Sequence, residues 1–436
     1  MKTIFSDIDA KTLAIALPLI LSNITIPLVG FVDNAVVGHL GSPIYLGAVG
    51  IGSIVISYIL FSFGFIKSVT ASFTSQHEGS SDKKNLLLTL YQILIISSII
   101  SLLILSAKNY IINFSLELFD AAEDVKINSE IYLSIRIFSV PAIFLRDILI
   151  GYYIGLQKTK RAMFIVIFIN VFNAILDYYF VLVLGYGVSG VAIASVIAEY
   201  SILVFVYLAF VNENILTNYK FKINDIFNWN TIKEKILFNT NMFIRSLILM
   251  TCFAYFMKIS TEYGVVILAA NTILLNFFFI FSYGLDGFAH ASETMIGNSI
   301  GKKDYSYVKK SIISTGKLSL ILLILYLLFF IILEDSILNV VTDIVSVKES
   351  ALIFSIWLYL IFVAGTFAFW LDGVFIGAMQ HIIMRNIMII SGSIFFFLVI
   401  FLDSYQNHGL WLSFLIFFAS RSFFLLIALK HYLSKI

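Results

Sequence analysis

The sequence predicts an all-α integral membrane protein: twelve transmembrane helices in two six-helix bundles, related by a pseudo-two-fold axis along the membrane normal. Three observations carry this. The 436-residue chain is 60% hydrophobic and only 12% charged, against about 25% charged residues in a soluble domain, and its mean hydropathy is +0.99. Basic residues alternate from one loop to the next. The two halves of the chain repeat each other at one fixed offset.

Each span is long enough for the roughly 20 apolar residues that a bilayer requires. A polar start, Met1–Lys11, leads into span 1 at 12–37 with no A-x-A cleavage site, so it reads as a helix that stays. Lys83 and Lys84 separate span 2 (45–75) from span 3 (86–107). Glu117, Asp120, Glu123 and Asp124 precede span 4 (129–156), and Lys158, Lys160 and Arg161 follow it. Spans 5 (162–184) and 6 (188–211) complete an N-lobe, 1–211. The stretch 212–235, with Lys220, Lys222, Lys233 and Lys235, is expected as a cytoplasmic linker to a C-lobe, 236–436. There, spans 7 (236–260) and 8 (265–298) lead to Lys302, Lys303, Lys309 and Lys310. Glu334, Asp335 and Asp343 separate span 9 (311–333) from span 10 (351–377). Arg385 marks the start of span 11 (383–403), and span 12 (408–430) ends in Lys430 and Lys435. With Lys2 and Lys11, one set of loops holds 18 Lys and Arg residues, and the alternate set holds only Lys108, Lys126 and Lys348. Cytoplasmic loops are the basic ones. Both termini are therefore expected in the cytoplasm, and the chain in the inner (plasma) membrane of a prokaryote.

At an offset of 222 residues, Leu46 and Ala48 match Leu268 and Ala270, and Gly79 and Asp82 match Gly301 and Asp304. Gly151-Tyr-Tyr-Ile-Gly155 matches Gly373-Val-Phe-Ile-Gly377 at the same offset. Six spans per half is an even number, so both halves enter the membrane in the same direction. That is the parallel-repeat plan of transporters that handle substrate between two halves.

Two acids lie inside this apolar chain: Asp33 in span 1 and Asp177 in span 5. A carboxylate in hydrocarbon is costly unless it faces a partner or a wet cavity, and such acids mark ion and proton pathways. Counted from the outer ends of their spans, Asp33, Asp177 and Ser195 of span 6 fall in one layer of the outward half. Asn173 lies on the same helix face as Asp177, one turn deeper. Four oxygen-bearing groups at one level suit a hard cation such as Na⁺. Two acids in a dry pocket equally make a proton carrier, and the sequence leaves both open. The structural alternative is that the acids only hydrogen-bond neighbouring helices. Pro27, six residues before Asp33, removes a helix hydrogen bond and is the expected hinge of span 1; Pro18 and Pro141 carry less weight.

A second set of charges lies deeper: Lys67, Arg146 and Asp147 in the first half, Arg245, Asp286, Glu293 and Asp372 in the second. Charges of both signs inside a membrane pair with one another, so these are expected to tie helices together or close an inner gate, with substrate contact as the alternative. Glu199 has no assigned role. Aromatic runs such as Asn276–Phe281 either line a cavity for flat cations or, more commonly, pack between helices. His39 reads as an interfacial residue. Net charge of +2 argues against nucleic acid as a partner, and the single cysteine, Cys252, forms no intrachain disulfide. No phosphate-binding G-x-x-x-x-G-K-[ST] loop, metal-ligand spacing or hydrolytic triad is present. Neither an ATP-driven pump nor an enzyme is expected, and no cofactor beyond a coupling ion.

Span 1, Pro27-Leu-Val-Gly-Phe-Val-Asp33-Asn-Ala-Val-Val-Gly38-His39-Leu40-Gly41, resembles the first helix of MATE (multidrug and toxic compound extrusion) transporters. Gly151-Tyr-Tyr-Ile-Gly155-Leu-Gln157, Asp372-Gly-Val-Phe-Ile-Gly377-Ala and Met384-Arg385-Asn386 resemble the DinF branch. The likeness covers the whole chain. It implies a V-shaped, two-lobed antiporter that exports small cationic or amphipathic compounds on an inward H⁺ or Na⁺ gradient; membrane lipid as its surroundings and a monomeric state are separate expectations. It further implies that Asp33, Asn173 and Asp177 are the coupling residues, with Ser195 standing where many relatives carry threonine. The stretch after Gln157 lacks the family's usual proline, and no coupling role passes to Asp286 or Asp372. The rival within the same superfamily is a lipid-linked precursor flippase, which needs a cationic cavity for pyrophosphate. An acidic outer layer argues against it, with Lys67, Arg146 and Arg245 as its only support.

Overall fold

The computed structural model describes residues 6–40, 42–119, 121–212 and 221–435, all helix and short turns with no strand among them. Lys2, Gly41, Asp120 and residues 213–220 of the expected linker, Lys220 among them, lie outside the described residues. In the first half, α1 (Asp7–Gly38), α2 (Pro43–Phe63), α3 (Phe65–Gly79), α4 (Lys83–Ser106) and α5 (Lys108–Glu117) are followed by α6 (Glu123–Arg136), α7 (Val140–Gly155), α8 (Thr159–Asp177), α9 (Gly187–Tyr200) and α10 (Ile202–Asn212). After the short α11 (Ile223–Ile226) come α12 (Trp229–Glu262), α13 (Val265–Gly301), α14 (Tyr305–Val341), α15 (Val345–Gly377), α16 (His381–Phe401) and α17 (Gln406–Leu433).

Eleven helices among the described residues are long and apolar enough to cross a membrane. The twelfth expected span, 129–156, is the α6–α7 stretch, broken by a 3₁₀ turn at Ile137–Ser139. Pro141 causes the break. It sits in the first turn of α7, where its missing N–H is harmless, but it cannot extend the ladder of α6. Pro27 has no such effect, and α1 is helical throughout Asp7–Gly38.

The 222-residue repeat is legible in backbone detail. α1, α2, α4, α6 and α8 begin 222 residues before α12, α13, α14, α15 and α16. Asp82 caps α4 by accepting from the Asn85 amide at 3.0 Å, and Asp304 caps α14 from the Tyr307 amide at 2.9 Å. Left-handed residues recur at the same places: Ser81 (φ 57°) and Lys303 (φ 59°), Gln157 (φ 60°) and Met379 (φ 54°). Close helix crossings recur as well. A Cβ on Gly151 or Gly155 would collide with the Lys67 and Ala71 carbonyls of α3, and one on Gly373 or Gly377 with the Ala289 and Glu293 carbonyls of α13. Small residues that let backbones approach are how helices pack where lipid offers no hydrophobic drive.

The chain forms two compact units: Met1–Ile20 with Thr240–Ile436, and Leu21–Asn239. Each therefore takes the first turns of a helix from the other half, a division that the sequence-based N-lobe and C-lobe boundaries do not contain. The docking contacts are repeat equivalents. In one unit Asp9 of α1 accepts from Ser314 Oγ at 2.6 Å and pairs with Lys317 of α14. In the other, Thr231 of α12 accepts from Gln92 Nε2 of α4 at 2.8 Å. The core of the first unit is aromatic. Phe278 meets Phe418 at 5.2 Å, Phe281 meets Phe362 at 4.6 Å, and Phe256 meets Trp411 edge-on at 4.9 Å. Rings at such separations add to their burial energy. The Asn276–Phe281 run thus packs Phe277, Phe278 and Phe281 into this core.

Candidate functional site

Asp33, Asn173, Asp177 and Ser195 all lie in the Leu21–Asn239 unit, and all four are buried, Asp177 completely. Three helices present them: α1, α8 and α9. Asp177 is the last residue of α8 before the backbone widens into a π-helical turn, Tyr178–Val183. Such turns recur at functional sites because they re-aim the side chains beside them. Asn173 donates through Nδ2 to Ser195 Oγ at 3.3 Å. The Asp33 and Asp177 carboxyls are neighbours. Both Asp177 oxygens and Asp33 Oδ1 are buried and accept from no other residue among the described residues, and the two carboxyls lie close enough to share a proton in a hydrogen bond with each other. Buried polar atoms are normally satisfied, and an orphan signals a catalytic role or an absent ion or water. Three orphan carboxylate oxygens in one place are an acceptor set for a proton or a small cation.

Sequence reasoning did not select two members of this cluster. Arg136, the last residue of α6, lies within electrostatic reach of both acids. Its guanidinium is tied to Ser139, whose hydroxyl donates back to the Arg136 carbonyl at 2.7 Å. Tyr132, one turn earlier, is buried with its ring against Gly52, and its hydroxyl lies 3.4 Å from Ser53 Oγ. The signal available was an arginine inside an apolar span, five residues before a proline. In the other half, Tyr255, Phe395, Val399 and Phe417 stand 222 residues from Asp33, Asn173, Asp177 and Ser195. Two ring contacts fill that position, Tyr255–Phe395 at 6.4 Å and Phe395–Phe417 at 6.0 Å. The acid pair therefore has no repeat counterpart in the other half.

The deeper charges pair. Arg146 donates to Glu199 Oε1 at 2.6 Å and to Asp147 Oδ1 at 3.2 Å, which gives Glu199 its partner. Arg245 and Arg421 both bond Asp372 Oδ2, and Asp286 interacts with Arg421. Arg421 is completely buried and was not singled out from the sequence, although it stands at the repeat position of Glu199 with the opposite charge. Glu293 bonds His290 at 2.9 Å within α13. Lys67 has no ion-pair partner among the described residues. His39 Nδ1 lies 2.7 Å from the Ala35 carbonyl on an exposed turn. No three His, Cys, Asp or Glu side chains converge as a metal-binding group among the described residues.

A two-unit helical bundle with an acid pair in one unit is the architecture of a membrane transporter, and the comparisons agree. The MatE family model matches residues 18–179 and, a second time, residues 242–403. DNA damage-inducible protein F of Escherichia coli (strain K12) is 31% identical over 407 residues, 93% of this chain and 89% of that protein. Human multidrug and toxin extrusion protein 1 is 25% identical over 334 residues, 74% of this chain and 55% of its own length. A MATE structure in the straight conformation superposes with a TM-score of 0.87 at 17% identity, covering 99% of this chain and 97% of that one. The chain belongs to the MatE family of multi-pass membrane transporters, with the fold of solved relatives that have twelve helices in two lobes.

Proposed function

We propose that this protein is a secondary-active antiporter that exports organic cations and amphipathic compounds, driven by an inward H⁺ or Na⁺ gradient. The observation that carries this reading is the buried Asp33–Asp177 pair, three of whose oxygens accept from no other residue among the described residues. An ionised acid there binds a cationic substrate. A proton or sodium ion that enters from outside takes the same charge and releases the substrate. Asn173 and Ser195, already joined, supply neutral oxygens beside the pair. Pro27, which leaves the helix one hydrogen bond short below Asp33, is where α1 bends between states. The charges at Arg146, Asp147 and Glu199, and at Arg245, Asp372 and Arg421, hold helices together within each unit. We read the chain as a transporter and not an enzyme. It needs no cofactor beyond the coupling ion, lies in a prokaryotic inner membrane with both termini cytoplasmic, and works as a monomer without nucleic-acid partners. The name of the human relative, multidrug and toxin extrusion protein 1, is consistent with extrusion of toxic compounds. A lipid-linked flippase is disfavoured because the polar layer is acidic.

The test is efflux of a fluorescent organic cation from proteoliposomes under an imposed pH or Na⁺ gradient, for wild type and Asp33→Asn. Gradient-driven efflux that Asp33→Asn abolishes supports the reading. Undiminished efflux by the mutant refutes the role of Asp33, and capture of a polyprenyl-pyrophosphate lipid without cation efflux moves the flippase forward.

A further inference from the structure

Glu199 bears a buried oxygen that the ion pairs around it leave unused. Its Oε1 accepts from Arg146 Nη1 at 2.6 Å, while its Oε2 is buried with no hydrogen-bond partner among the described residues. The residue is 7% exposed. The same guanidinium also donates to Asp147 Oδ1, at 3.2 Å from Nη2 and 3.3 Å from Nε. One arginine is thus shared by two acids. Arg146 and Asp147 of α7 are the charged groups that face Glu199; α6 and α8, which also pack on α9, add no ion pair to it among the described residues. Glu199 follows Ser195 by four residues in α9, so the two side chains lie on one face, about 6 Å apart along the axis. Ser195 Oγ accepts from Asn173, which precedes Asp177 by four residues in α8. Two helical turns and one hydrogen bond therefore connect the acid pair to Glu199.

We propose that Glu199 is a second proton station, which takes the coupling proton from the Asp33–Asp177 pair and hands it on toward the cytoplasm. The inference rests on the antiport reading in its proton-driven form. Hard metal cations need several oxygen ligands; one lone oxygen is enough for a proton. The transfer breaks an O–H bond at the pair and forms one at Glu199 Oε2. It leaves the pair with one more negative charge for a cationic substrate. In the proposed topology α9 runs inward from Gly187, so Glu199 lies on the cytoplasmic side of Ser195. With the proton on Glu199, Arg146 is balanced by Asp147. Without it, the three groups carry one net negative charge, the costly state inside a membrane, and that charge draws the next proton inward. Arg421 stands at the equivalent position of the other half, so this station, like the acid pair, has no repeat counterpart.

Glu199→Gln keeps the size of the side chain and the oxygen that accepts from Arg146, but it carries no acid proton. Acidification of purified wild type should raise the infrared carbonyl stretch of buried protonated carboxylic acids, and Glu199→Gln should lose one component of that rise. The variant should bind ethidium as wild type does, yet its pH-driven ethidium efflux from proteoliposomes should fall by about tenfold or more. Glu199→Asp, which keeps an acid at the position, should restore the infrared component and part of the efflux. Wild-type efflux by Glu199→Gln, or an infrared rise equal to that of wild type, overturns the proposal. Loss of ethidium binding in step with efflux overturns it too, since that is what a purely structural role gives. Wild type without pH-driven efflux sinks the antiport reading and this role with it, whereas the infrared comparison reads proton uptake at Glu199 alone, so the two failures are distinct.

Discussion

Asp177→Val should make the protein more stable while abolishing gradient-driven transport. Valine is what the repeat places at the equivalent position, Val399. Asp177 is fully buried, and both of its oxygens accept from no residue other than Asp33 among the described residues. Each unsatisfied buried polar atom costs about 1–3 kcal/mol. Removing the carboxyl relieves the burial cost of those atoms, and it gives up the hydrogen bond that a shared proton makes with Asp33 and the attraction of Arg136. Arg136 retains Asp33 as a partner of opposite sign, so no new unpaired charge is created. The expected net gain is about 1–3 kcal/mol, read as an upward shift of the thermal transition followed by helical circular dichroism in detergent. Asp147→Val is the control. Asp147 bonds Arg146 at 3.2 Å, so its removal should lower stability. Loss of stability in Asp177→Val, or gradient-driven transport that survives it, would refute the argument that the unpartnered acid is kept for function at the expense of the fold.

Four further outcomes follow from the geometry. Gly373→Ala should destabilise by about 1–3 kcal/mol, since its Cβ would collide with the Ala289 backbone, whose carbonyl carbon lies 2.6 Å away. Gly50→Ala in α2 meets nothing within 4 Å and should be neutral or stabilising in the same thermal assay. Asp9→Asn, which weakens the bonds to Lys317 and Ser314, should cost more than Thr231→Val, which removes one neutral hydrogen bond worth about 1 kcal/mol; equal costs would contradict the assignment of Asp9 as the stronger clasp. The bond from the Asn85 amide holds the Asp82 carboxyl below its ordinary range. That contribution is present above the ordinary carboxylate pKa and is lost as pH falls through the lowered one. Asp82→Ala should therefore show a smaller acid-side loss of stability than wild type in a pH series.

The repeat was the most legible feature of this sequence, because close crossings demand glycine and tight turns demand caps. Gly151, Gly155, Gly373 and Gly377 therefore stand out even where the surrounding residues have drifted. The buried acids were legible for a similar reason, since few residues in an apolar helix lack an alternative explanation. The broken fourth span was not resolved. Pro141 is visible in the sequence, but whether a proline breaks a helix, as here, or leaves it intact, as Pro27 does, depends on the packing around the freed carbonyl. Arg136 and Arg421 escaped because a charge's partner is a tertiary fact. Glu199, without a role in the sequence, acquires one only when α7 and α9 bring it to Arg146. The shared helix ends were likewise invisible, since no local signal says that the first turns of α1 and α12 pack in the unit of the opposite half.

The central claim is that substrate and coupling ion compete for the Asp33–Asp177 pair. The direct measurement is equilibrium binding of a monovalent organic cation to purified protein across a matrix of pH and Na⁺ concentration, for wild type and Asp33→Asn. The account expects wild-type affinity to fall as protons, sodium ions or both are added, and the Asp33→Asn variant to bind weakly with no such dependence. Wild-type binding that is indifferent to both ions, or an ion dependence that Asp33→Asn preserves, would contradict it.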